Sequence, residues 1–225
     1  MLVKYWMSKP VITIDIEDDM QDVKALLAKH EIRMLPVMEK GRLVGVVTDR
    51  DVKKASASSI VALKPCDTHG LTAGIKIKEI MTGDPMTAPF DLTVEETAEV
   101  ILLNKISGMP VVDHKGDLVG IITLSDICRV IFSLTGFGKK GIQFAIQLTD
   151  KPHTLKEITD IIRSYGSRVS SILTSYDGVP DGHRKVYIRI FDIDHPSLER
   201  LIEEIREKAT LLYIIDHVER KRVIF

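Results

Sequence analysis

Two segments of this chain repeat each other, and this duplication constrains the fold more than any other feature. Residues 41–51 read GRLVGVVTDRD and residues 116–126 read GDLVGIITLSD, so that six positions coincide at a constant offset of 75 residues. Each segment predicts a turn glycine, a short apolar strand and a Thr-x-x-Asp sequence that opens a helix. Self-similarity at a fixed offset indicates that one structural unit occurs twice.

The sequence around these segments follows the same order in both copies, which is strand, helix, strand, strand, helix. In the first copy we predict a strand at 11–14, a helix at 18–29, strands at 35–38 and 43–47, and a helix from 49 to about 55. In the second copy a Thr93–Glu96 capping box opens a helix at 94–103. The tetrapeptide Met-Pro-Val-Val at 109–112 then repeats Leu-Pro-Val-Met at 35–38.

The segment between the copies has no clear periodicity. Residues 56–75 contain Pro65, Gly70 and Gly74, and a loop of this length inside a compact domain is usually functional or disordered. Both interpretations stay open. The repeat resumes directly after this segment, because residues 78–82 resemble residues 4–8 at an offset of 74.

The pattern changes after a glycine-rich segment at 136–141. Hydrophobic residues alternate from Ile142 to Leu148, which predicts a strand with one buried face. There follow a Thr154–Glu157 capping box, a helix that ends at Gly166, a hairpin around residues 177–182, a helix from Pro196 and a strand at 211–218. This order, βαββαβ, is the split βαβ arrangement.

These patterns predict an α+β protein with five segments. They are a first repeat unit at 1–56, an inter-repeat linker at 57–76, a second repeat unit at 77–135, a short linker at 136–141 and a C-terminal domain at 142–218. A hydrophobic fraction of 44% and a charged fraction of 28% are typical of a soluble globular chain.

Composition excludes several classes of function. Because the net charge is −1, the chain has no overall positive charge that would attract nucleic acid or an anionic membrane surface. It also contains no run of 18 apolar residues, which a membrane span would require. Two cysteines are too few for a disulfide framework, which favours the cytoplasm, and Cys128 is expected in the core. The seven histidines lack metal-ligand spacing and no nucleophile motif occurs, so we predict neither a metal site nor an enzyme.

The duplicated unit resembles a tandem pair of CBS domains, the module also called a Bateman domain. The marker of that family is Gly-hydrophobic-x-Thr/Ser-x-x-Asp/Asn, and residues 45–51 and 120–126 both match it. The C-terminal domain resembles an ACT domain, which has a ferredoxin-like fold, in its element order and its Asp-Lys-Pro turn at 150–152. A CBS pair followed by an ACT domain is similar to the acetoin-utilisation AcuB family, whose Val-Lys-x-Trp-Met opening matches residues 3–7.

The CBS resemblance implies an adenine nucleotide as a regulatory ligand and no other cofactor. AMP, ADP and ATP are the expected nucleotides, with S-adenosylmethionine and NAD as the other adenosyl candidates. Thr48, Arg50 and Asp51 would hold ribose and phosphate at a helix N-terminus, where the dipole and the unpaired amides favour an anion. The remaining implied contacts are Ile12, Thr13, Leu35 and Pro36 in one pocket, Met86, Thr87, Met109 and Pro110 in the other, and Thr123, Ser125 and Asp126 at the second helix.

The Thr-x-x-Asp pair also has a purely structural interpretation, because the same residue types form a capping box that starts a helix without any ligand. Two observations favour nucleotide binding: Asp reaches back to the cap less well than Glu, and the pair recurs within a unit that resembles a nucleotide-binding family. Ser125 of the second copy replaces Arg50 of the first, so phosphate is expected to bind better beside the first copy. One ligand in each cleft and one longer ligand across both stay open.

The sequence therefore predicts a regulatory small-molecule sensor that relays nucleotide occupancy through a homodimer or a metabolic-enzyme partner. Two other functions stay open, an ACT regulator that responds to an amino acid and a ligand-free dimerisation scaffold. Many amino-acid-binding ACT domains carry glycine after the Asp-x-Pro turn, whereas this chain carries His153. Its side chain would either block an effector site or point to solvent, and dimerisation is the expected role of this fold.

Overall fold

The computed structural model describes residues 1–61 and 74–225, and the side chains of all of these except residues 58–61. Residues 62–73, the greater part of the predicted linker at 57–76, therefore lie outside the described residues. The chain divides into two compact units, Met1–Cys128 and Arg129–Phe225. The first unit holds both copies of the repeat as far as the start of the last helix.

The first copy has the predicted order of strand, helix, strand, strand, helix. Its elements are β1 (Ile14–Asp15), α1 (Met20–His30), β2 (Met34–Glu39), β3 (Arg42–Thr48) and α2 (Asp49–Val61). β1 and β2 are parallel, and β2 and β3 are antiparallel. α2 continues to Val61, past the predicted end near Ala55, because the residues there include neither the proline nor the glycine that would stop a helix.

The second copy repeats this arrangement. Its elements are α3 (Ile77–Ile80), β4 (Thr82–Gly83), β5 (Ala88–Pro89), α4 (Val94–Leu103), β6 (Gly108–Val112), β7 (Leu118–Thr123) and α5 (Leu124–Leu134). The predicted capping box of α4 is confirmed, since the Glu96 amide donates to Thr93 Oγ1 at 3.2 Å and the Thr93 amide donates to Glu96 Oε2 at 2.9 Å. Hydrogen bonds from Thr93 lower the pKa of the Glu96 carboxyl, which keeps this cap charged at neutral pH.

In each copy, a short segment pairs with a strand of the other copy. The N-terminal strap (residues 1–8) reaches the second copy, where Ser8 pairs with Ile121 of β7. The second strap (residues 77–83) lies on the first copy, where β4 pairs with Gly45 and Val46 of β3. The two copies are therefore joined by reciprocal strand pairing.

Glycine permits the close approach of both straps. A Cβ at Gly45 would lie 2.7 Å from the Met81 sulfur and 2.9 Å from the carbonyl oxygen of Thr82. A Cβ at Gly120 would collide with the Met7 side chain. The repeated glycine leaves room for a strap at both positions, against a backbone carbonyl at Gly45 and against a side chain at Gly120.

A hydrophobic core fills the first copy and includes a residue of the second strap. Its buried members are Ile14, Met20, Val23, Leu27, Leu35, Val37, Val47, Val52 and Ile77. The Ile77 side chain is completely buried, so the second strap contributes apolar burial to the first copy as well as backbone pairing. Cys128, which the sequence places in the core, is exposed on α5.

The C-terminal unit has the predicted βαββαβ order followed by one more strand. Its elements are β8 (Ile142–Thr149), α6 (Thr154–Ser164), β9 (Arg168–Ser175), β10 (His183–Phe191), α7 (His195–Lys208), β11 (Thr210–Asp216) and β12 (Lys221–Ile224). The strands form one sheet in the order β12-β11-β8-β10-β9, and all of its pairs are antiparallel. Apolar residues of α6 and α7 form a core against one face of this sheet.

The predicted Thr154–Glu157 capping box is not formed at the start of α6. His153 occupies the N-cap position with a φ of 75°, and its carbonyl accepts from the Glu157 amide at 2.9 Å. Thr154 Oγ1 instead donates to the Thr149 and Lys151 carbonyls, both at 3.0 Å. The helix begins at Thr154, one residue earlier than the motif predicts, and the threonine hydroxyl bonds to the turn before the helix instead of capping it.

Arg189 fixes the segment that leads into β8. The side chain is 4% exposed, and its nitrogens donate to the Thr135 carbonyl at 2.8 Å, the Lys140 carbonyl at 3.1 Å and Gln143 Oε1 at 2.7 Å. Burial lowers the pKa of this guanidinium, but an arginine remains charged at neutral pH. The predicted linker at 136–141 is thus bonded to the sheet at its ends. In the described parts of the chain, no helix combines the length and the hydropathy needed to cross a membrane.

Candidate functional site

A cleft of about 710 Å³ lies between the two copies, at the junction of β3 and α2. The first copy contributes the end of β3 and the first turn of α2, and the second copy contributes the segment before β5 and the turn between α4 and β6. Its walls are residues 33–34, 46, 48–51, 53, 82, 84–86, 104–108 and 110. A helix N-terminus, which favours anions, therefore opens into a space large enough for a small ligand.

Thr48 and Asp51 form the turn that starts α2. Asp51 Oδ2 accepts from the Thr48 amide at 2.9 Å and from the Thr48 hydroxyl at 2.6 Å, and Thr48 Oγ1 accepts from the Asp51 amide at 3.4 Å. The pair is therefore a capping box, as the structural interpretation of the sequence has it. Within the described residues these bonds engage Oδ2 and leave Oδ1 available as an acceptor.

Charged side chains of both copies line this cleft. The cations are Arg33, Arg50, Lys53 and Lys105, and the carboxylates are Asp49, Asp51 and Asp84. Lys53 Nζ lies 3.0 Å from Asp49 Oδ2, and this hydrogen bond with its ionic attraction lowers the pKa of the Asp49 carboxyl. Arg50 and Lys105 are exposed and come from different copies. A bound anion would therefore be attracted from two sides.

Apolar side chains form the rest of the cleft walls. They are Met34, Val46, Met86, Ile106 and Pro110. Met86 leaves 47% of its surface exposed, which is uncommon for so apolar a side chain. Methionine adapts its shape to a flat ring, so the polar corner at Thr48 faces a surface suited to an aromatic base.

The structure brings together Thr48, Arg50, Asp51, Met86 and Pro110, which the sequence assigns to different pockets. The sequence expectation groups the strand residues of each copy into one pocket. In the structure, residues of the second copy instead complete the cleft of the first. The physical reason is the reciprocal pairing of the straps, which carries the segment before β5 across to β3.

Several predicted residues lie elsewhere. Leu35 and Met109 have 0% and 1% of their surface exposed, and both point into the interior. Successive strand residues face opposite sides of a sheet, so Met109 turns inward while its neighbours Gly108 and Pro110 line the cleft. Of the other predicted contacts, Pro36 is buried, Ile12 packs against the first core, and Thr13 and Thr87 are exposed outside the cleft walls that the structure describes.

Sequence reasoning missed Arg33, Asp84 and Lys105. Arg33 precedes β2 and Lys105 precedes β6, where the chain leaves a helix and turns into a strand. Lys105 has a φ of 54°, a left-handed conformation that only the three-dimensional turn reveals. Arg33 and Lys105 lie in the same helix-to-strand turn of the two repeats, and this shared turn was the available signal once the exchange of straps is known.

Thr123, Ser125 and Asp126 form the equivalent turn at the start of α5. Asp126 Oδ2 accepts from the Thr123 amide and the Thr123 hydroxyl, both at 2.8 Å. Asp126 Oδ1 accepts from the Ser8 hydroxyl at 3.2 Å. Asp126 is only 4% exposed, whereas Ser125 is exposed. Both oxygens of this second carboxylate are therefore engaged within the protein.

The C-terminal unit exposes His153 at the turn where the sequence leaves its role open. A second cleft, of about 640 Å³, lies in this unit where β8 begins and α7 begins. Its charged residues are largely paired, because Arg168 lies 3.6 Å from Asp192 and Lys221 lies 2.6 Å from Glu219. The described part of the chain holds no cluster of His, Cys, Asp and Glu side chains suited to a metal ion.

Comparison with known proteins finds a family match over both copies. The model of the CBS domain family matches residues 3–58 and 77–133. An inosine-5'-monophosphate dehydrogenase of Korarchaeum cryptofilum is 34% identical over 119 residues, which are 53% of this chain and 22% of that protein. This chain thus spans about a fifth of the length of that enzyme, and the match falls on the repeat region.

Two solved structures are similar to a part of this chain. The CBS domain pair of protein MJ0100, in complex with 5′-methylthioadenosine and S-adenosyl-L-methionine, is 36% identical with a TM-score of 0.50, covering 58% of this chain and 99% of that one. An acetoin utilization protein (AcuB) from Vibrio cholerae is 27% identical with a TM-score of 0.51, covering 63% of this chain and 97% of that one.

Proposed function

Because this chain belongs to the CBS domain family, we propose that its duplicated unit is a regulatory sensor that binds an adenine nucleotide in the cleft beside Thr48 and Asp51. The observation that carries this proposal is that the two carboxylate oxygens of Asp51 have different roles. One oxygen starts α2, and the other is available in a cleft of about 710 Å³. An ionised carboxylate accepts hydrogen bonds from both hydroxyls of a ribose.

The adenosine part of the ligand fits the chemistry of the walls. The similar CBS pair of MJ0100 binds two adenosyl compounds, which supports this ligand class. The apolar residues Met34, Met86 and Pro110 offer a surface for the purine ring, while Thr48 and Asp51 offer polar groups for the sugar. A mostly apolar pocket with a few placed polar groups is typical of small-molecule sites.

The charges favour an anionic nucleotide over a sulfonium compound. Arg33, Arg50 and Lys105 line the cleft, and a guanidinium matches the geometry of phosphate. S-adenosylmethionine carries a positive sulfur and would meet these cations, whereas AMP, ADP and ATP would be attracted by them. We therefore rank AMP-type nucleotides above S-adenosylmethionine.

Binding would regulate through the two copies rather than through chemistry on the ligand. A nucleotide in this cleft would contact both copies, and a ligand shifts a conformational equilibrium by its different affinity for the two states. The homodimer, the metabolic-enzyme partner and the cytoplasmic location predicted from the sequence belong to this proposal. So does an ACT-like C-terminal unit that dimerises. His153 is exposed at the effector turn, so amino-acid binding stays the alternative role of this unit.

The test is calorimetry with AMP, ADP and ATP on the purified chain and on Asp51→Ala. We expect binding to the unaltered chain and a loss of affinity of at least tenfold in the variant, since hydrogen bonds to a charged group contribute about 1.5–3 kcal/mol. In a thermal scan, a nucleotide at a hundred times its Kd should add about 2.7 kcal/mol. That corresponds to roughly 5–10 °C for a chain of this size.

Asp194→Ala is the matched control. Asp194 also caps a helix, accepting from the Ser197 amide at 2.8 Å, but it lies in the C-terminal unit. It should reduce stability by about 1 kcal/mol without changing nucleotide affinity. A response to amino acids alone would favour the ACT regulator. No response to either panel, with an oligomer in sedimentation, would favour the scaffold.

A further inference from the structure

The two Thr-x-x-Asp turns differ in how the strap beside them is bonded. We call Thr48 and Asp51 with the open cleft the first half-site, and Thr123 and Asp126 with their surroundings the second half-site. We propose that Ser8 and Asp126 form a latch that holds the N-terminal strap across the second half-site, so that each chain binds one nucleotide, at the first half-site only. This inference rests on the proposed function, in which an aspartate oxygen receives the ribose.

The backbone of the N-terminal strap fixes the position of Ser8. Near its start, the Val3 amide donates to the Leu92 carbonyl at 2.8 Å, and the Val3 side chain is completely buried. At its end, Ser8 and Ile121 exchange two backbone hydrogen bonds of 2.8 and 3.1 Å. A residue held by two main-chain bonds presents its side chain in a defined direction, and the Ser8 hydroxyl reaches Asp126 Oδ1 at 3.2 Å.

This hydroxyl takes the place that a ribose hydroxyl would need. Asp126 Oδ2 already accepts two bonds from Thr123, and Oδ1 accepts from Ser8. With 4% of its surface exposed, Asp126 offers almost no area to a ligand. A nucleotide at the second half-site would have to break a protein hydrogen bond before forming its own, which removes most of the gain.

The first half-site has a matched residue that does not close it. Thr82 stands in the second strap where Ser8 stands in the N-terminal strap, and it pairs with Val46 as Ser8 pairs with Ile121. Thr82 lines the open cleft, and the bonds described for Asp51 come from Thr48 alone. The two straps therefore have the same backbone role and different effects on the carboxylate.

The charges at equivalent positions also disfavour a nucleotide at the second half-site. At positions equivalent to those of the first half-site, the second half-site has Ser125 for Arg50, Cys128 for Lys53 and, from the first copy, Glu31 for Lys105. Glu31 and Lys105 follow α1 and α4 with nearly equal φ values of 53° and 54°, so their backbones are equivalent although their charges are opposite. The second half-site thus lacks three cations and has the carboxylate of Glu31, while Leu124 and Pro10 stand for the carboxylates of Asp49 and Asp84. The balance of these changes is more negative and disfavours an anionic ligand.

Titration calorimetry with AMP reads the number of sites directly. We expect a stoichiometry of one per chain, at least a tenfold loss of affinity in Asp51→Ala, and a Kd within twofold of the unaltered value in Asp126→Ala. A stoichiometry of two, or an affinity loss in Asp126→Ala equal to that in Asp51→Ala, would overturn the latch while leaving the proposed function intact.

A double-mutant cycle tests the latch without any ligand. Ser8→Ala should lower the melting temperature of the unaltered chain and have no further effect in the Asp126→Ala background, because the bond is already lost. Thr82→Ala, the matched variant of the second strap, should act additively with Asp126→Ala. Additive effects of Ser8→Ala and Asp126→Ala would overturn the latch. If AMP does not bind at all, the proposed function fails, and this cycle still decides whether the latch exists.

Discussion

The two half-sites start their helices with the same bonds and differ in nearly everything that a ligand would meet. In each, one aspartate oxygen accepts from the amide and hydroxyl of the preceding threonine, at 2.6–2.9 Å in the first and 2.8 Å in the second. The first then opens into a cleft with cations of both copies, whereas the second carboxylate is 4% exposed and bonded to Ser8.

This difference separates two roles that one motif can combine. Capping a helix requires only one oxygen of the aspartate, so the motif fulfils that role in both copies. Binding a nucleotide requires a second oxygen, space and compensating charge, and these come from residues outside the motif. The presence of the motif therefore predicts a helix start in both copies, while its surroundings decide which copy binds.

The largest effect is expected where a strap crosses a glycine. Gly45→Ala places a Cβ 2.9 Å from the Thr82 carbonyl, a backbone atom that cannot move without breaking the β3–β4 pairing. We expect a loss of about 1–3 kcal/mol, as for other overpacked sites. Thermal unfolding measures the loss.

Gly120→Ala is the mirror of this change. The new Cβ would meet only the flexible Met7 side chain among its nearest contacts, so the loss should be smaller than for Gly45→Ala. Equal losses would contradict this expectation and show that the two straps are held equally tightly.

A reversal of charge should have the next largest effect. Lys105→Glu gives the first half-site the residue type that Glu31 provides at the equivalent position of the first copy, and we expect AMP affinity to fall about tenfold at low salt and less at high salt. The reciprocal Glu31→Lys should leave AMP affinity unchanged, because the latch keeps the second half-site closed. Calorimetry at two salt concentrations checks both. A gain of a second AMP site in Glu31→Lys would mean that charge, and not Ser8, excludes the ligand.

Removing the threonine caps separates stability from binding. Thr123→Val and Thr48→Val should each cost about 1 kcal/mol, since each removes the hydroxyl of a capping box. Only Thr48→Val should also weaken AMP binding. If Thr123→Val weakens binding as much, the second half-site takes part in recognition. Paired thermal scans and calorimetry on the two variants give the answer.

The C-terminal unit provides the smallest predicted effect and a reference outside both half-sites. Burial, with repulsion from Arg189 and Arg222, lowers the pKa of His217 below its usual value near 6.5. The unfolded chain therefore takes up a proton at a higher pH than the folded chain, so stability is fully present above pH 6.5 and falls as the pH drops below it. His217→Phe should flatten this fall between pH 7.5 and 5.5 in chemical unfolding, with no change in AMP stoichiometry.

Much of the fold follows from local sequence patterns. The repeated element order, the capping box at Thr93 and the βαββαβ order were predicted from periodicity and turn residues, and the tandem CBS pair is confirmed by the family match at 3–58 and 77–133. These features depend on residues close in the sequence, which is why a pattern reveals them. The ACT resemblance and the boundaries of the segments stay predictions.

The composition of the cleft could not be predicted, because it depends on which copy each strap joins. The two copies are so alike that either hairpin offers β4 a suitable partner, and local sequence does not distinguish the two pairings. The inward turn of Leu35 and Met109 has a similar cause, since strand alternation separates two faces without saying which one is covered. The strand β12 lies in a segment that the sequence left without any assignment.

The exchange of straps also bears on how such a molecule comes into being. A polypeptide with a single copy would have one strap and an unpaired β3 edge. It would have no second hairpin in the same molecule with which the strap could pair. Two such polypeptides would pair all of these edges only by associating head to tail, with the strap of each one pairing with the hairpin of the other. The present chain, with its two copies in tandem, thus resembles two such polypeptides joined by the inter-repeat linker. Cleavage in that linker should give two fragments that remain associated.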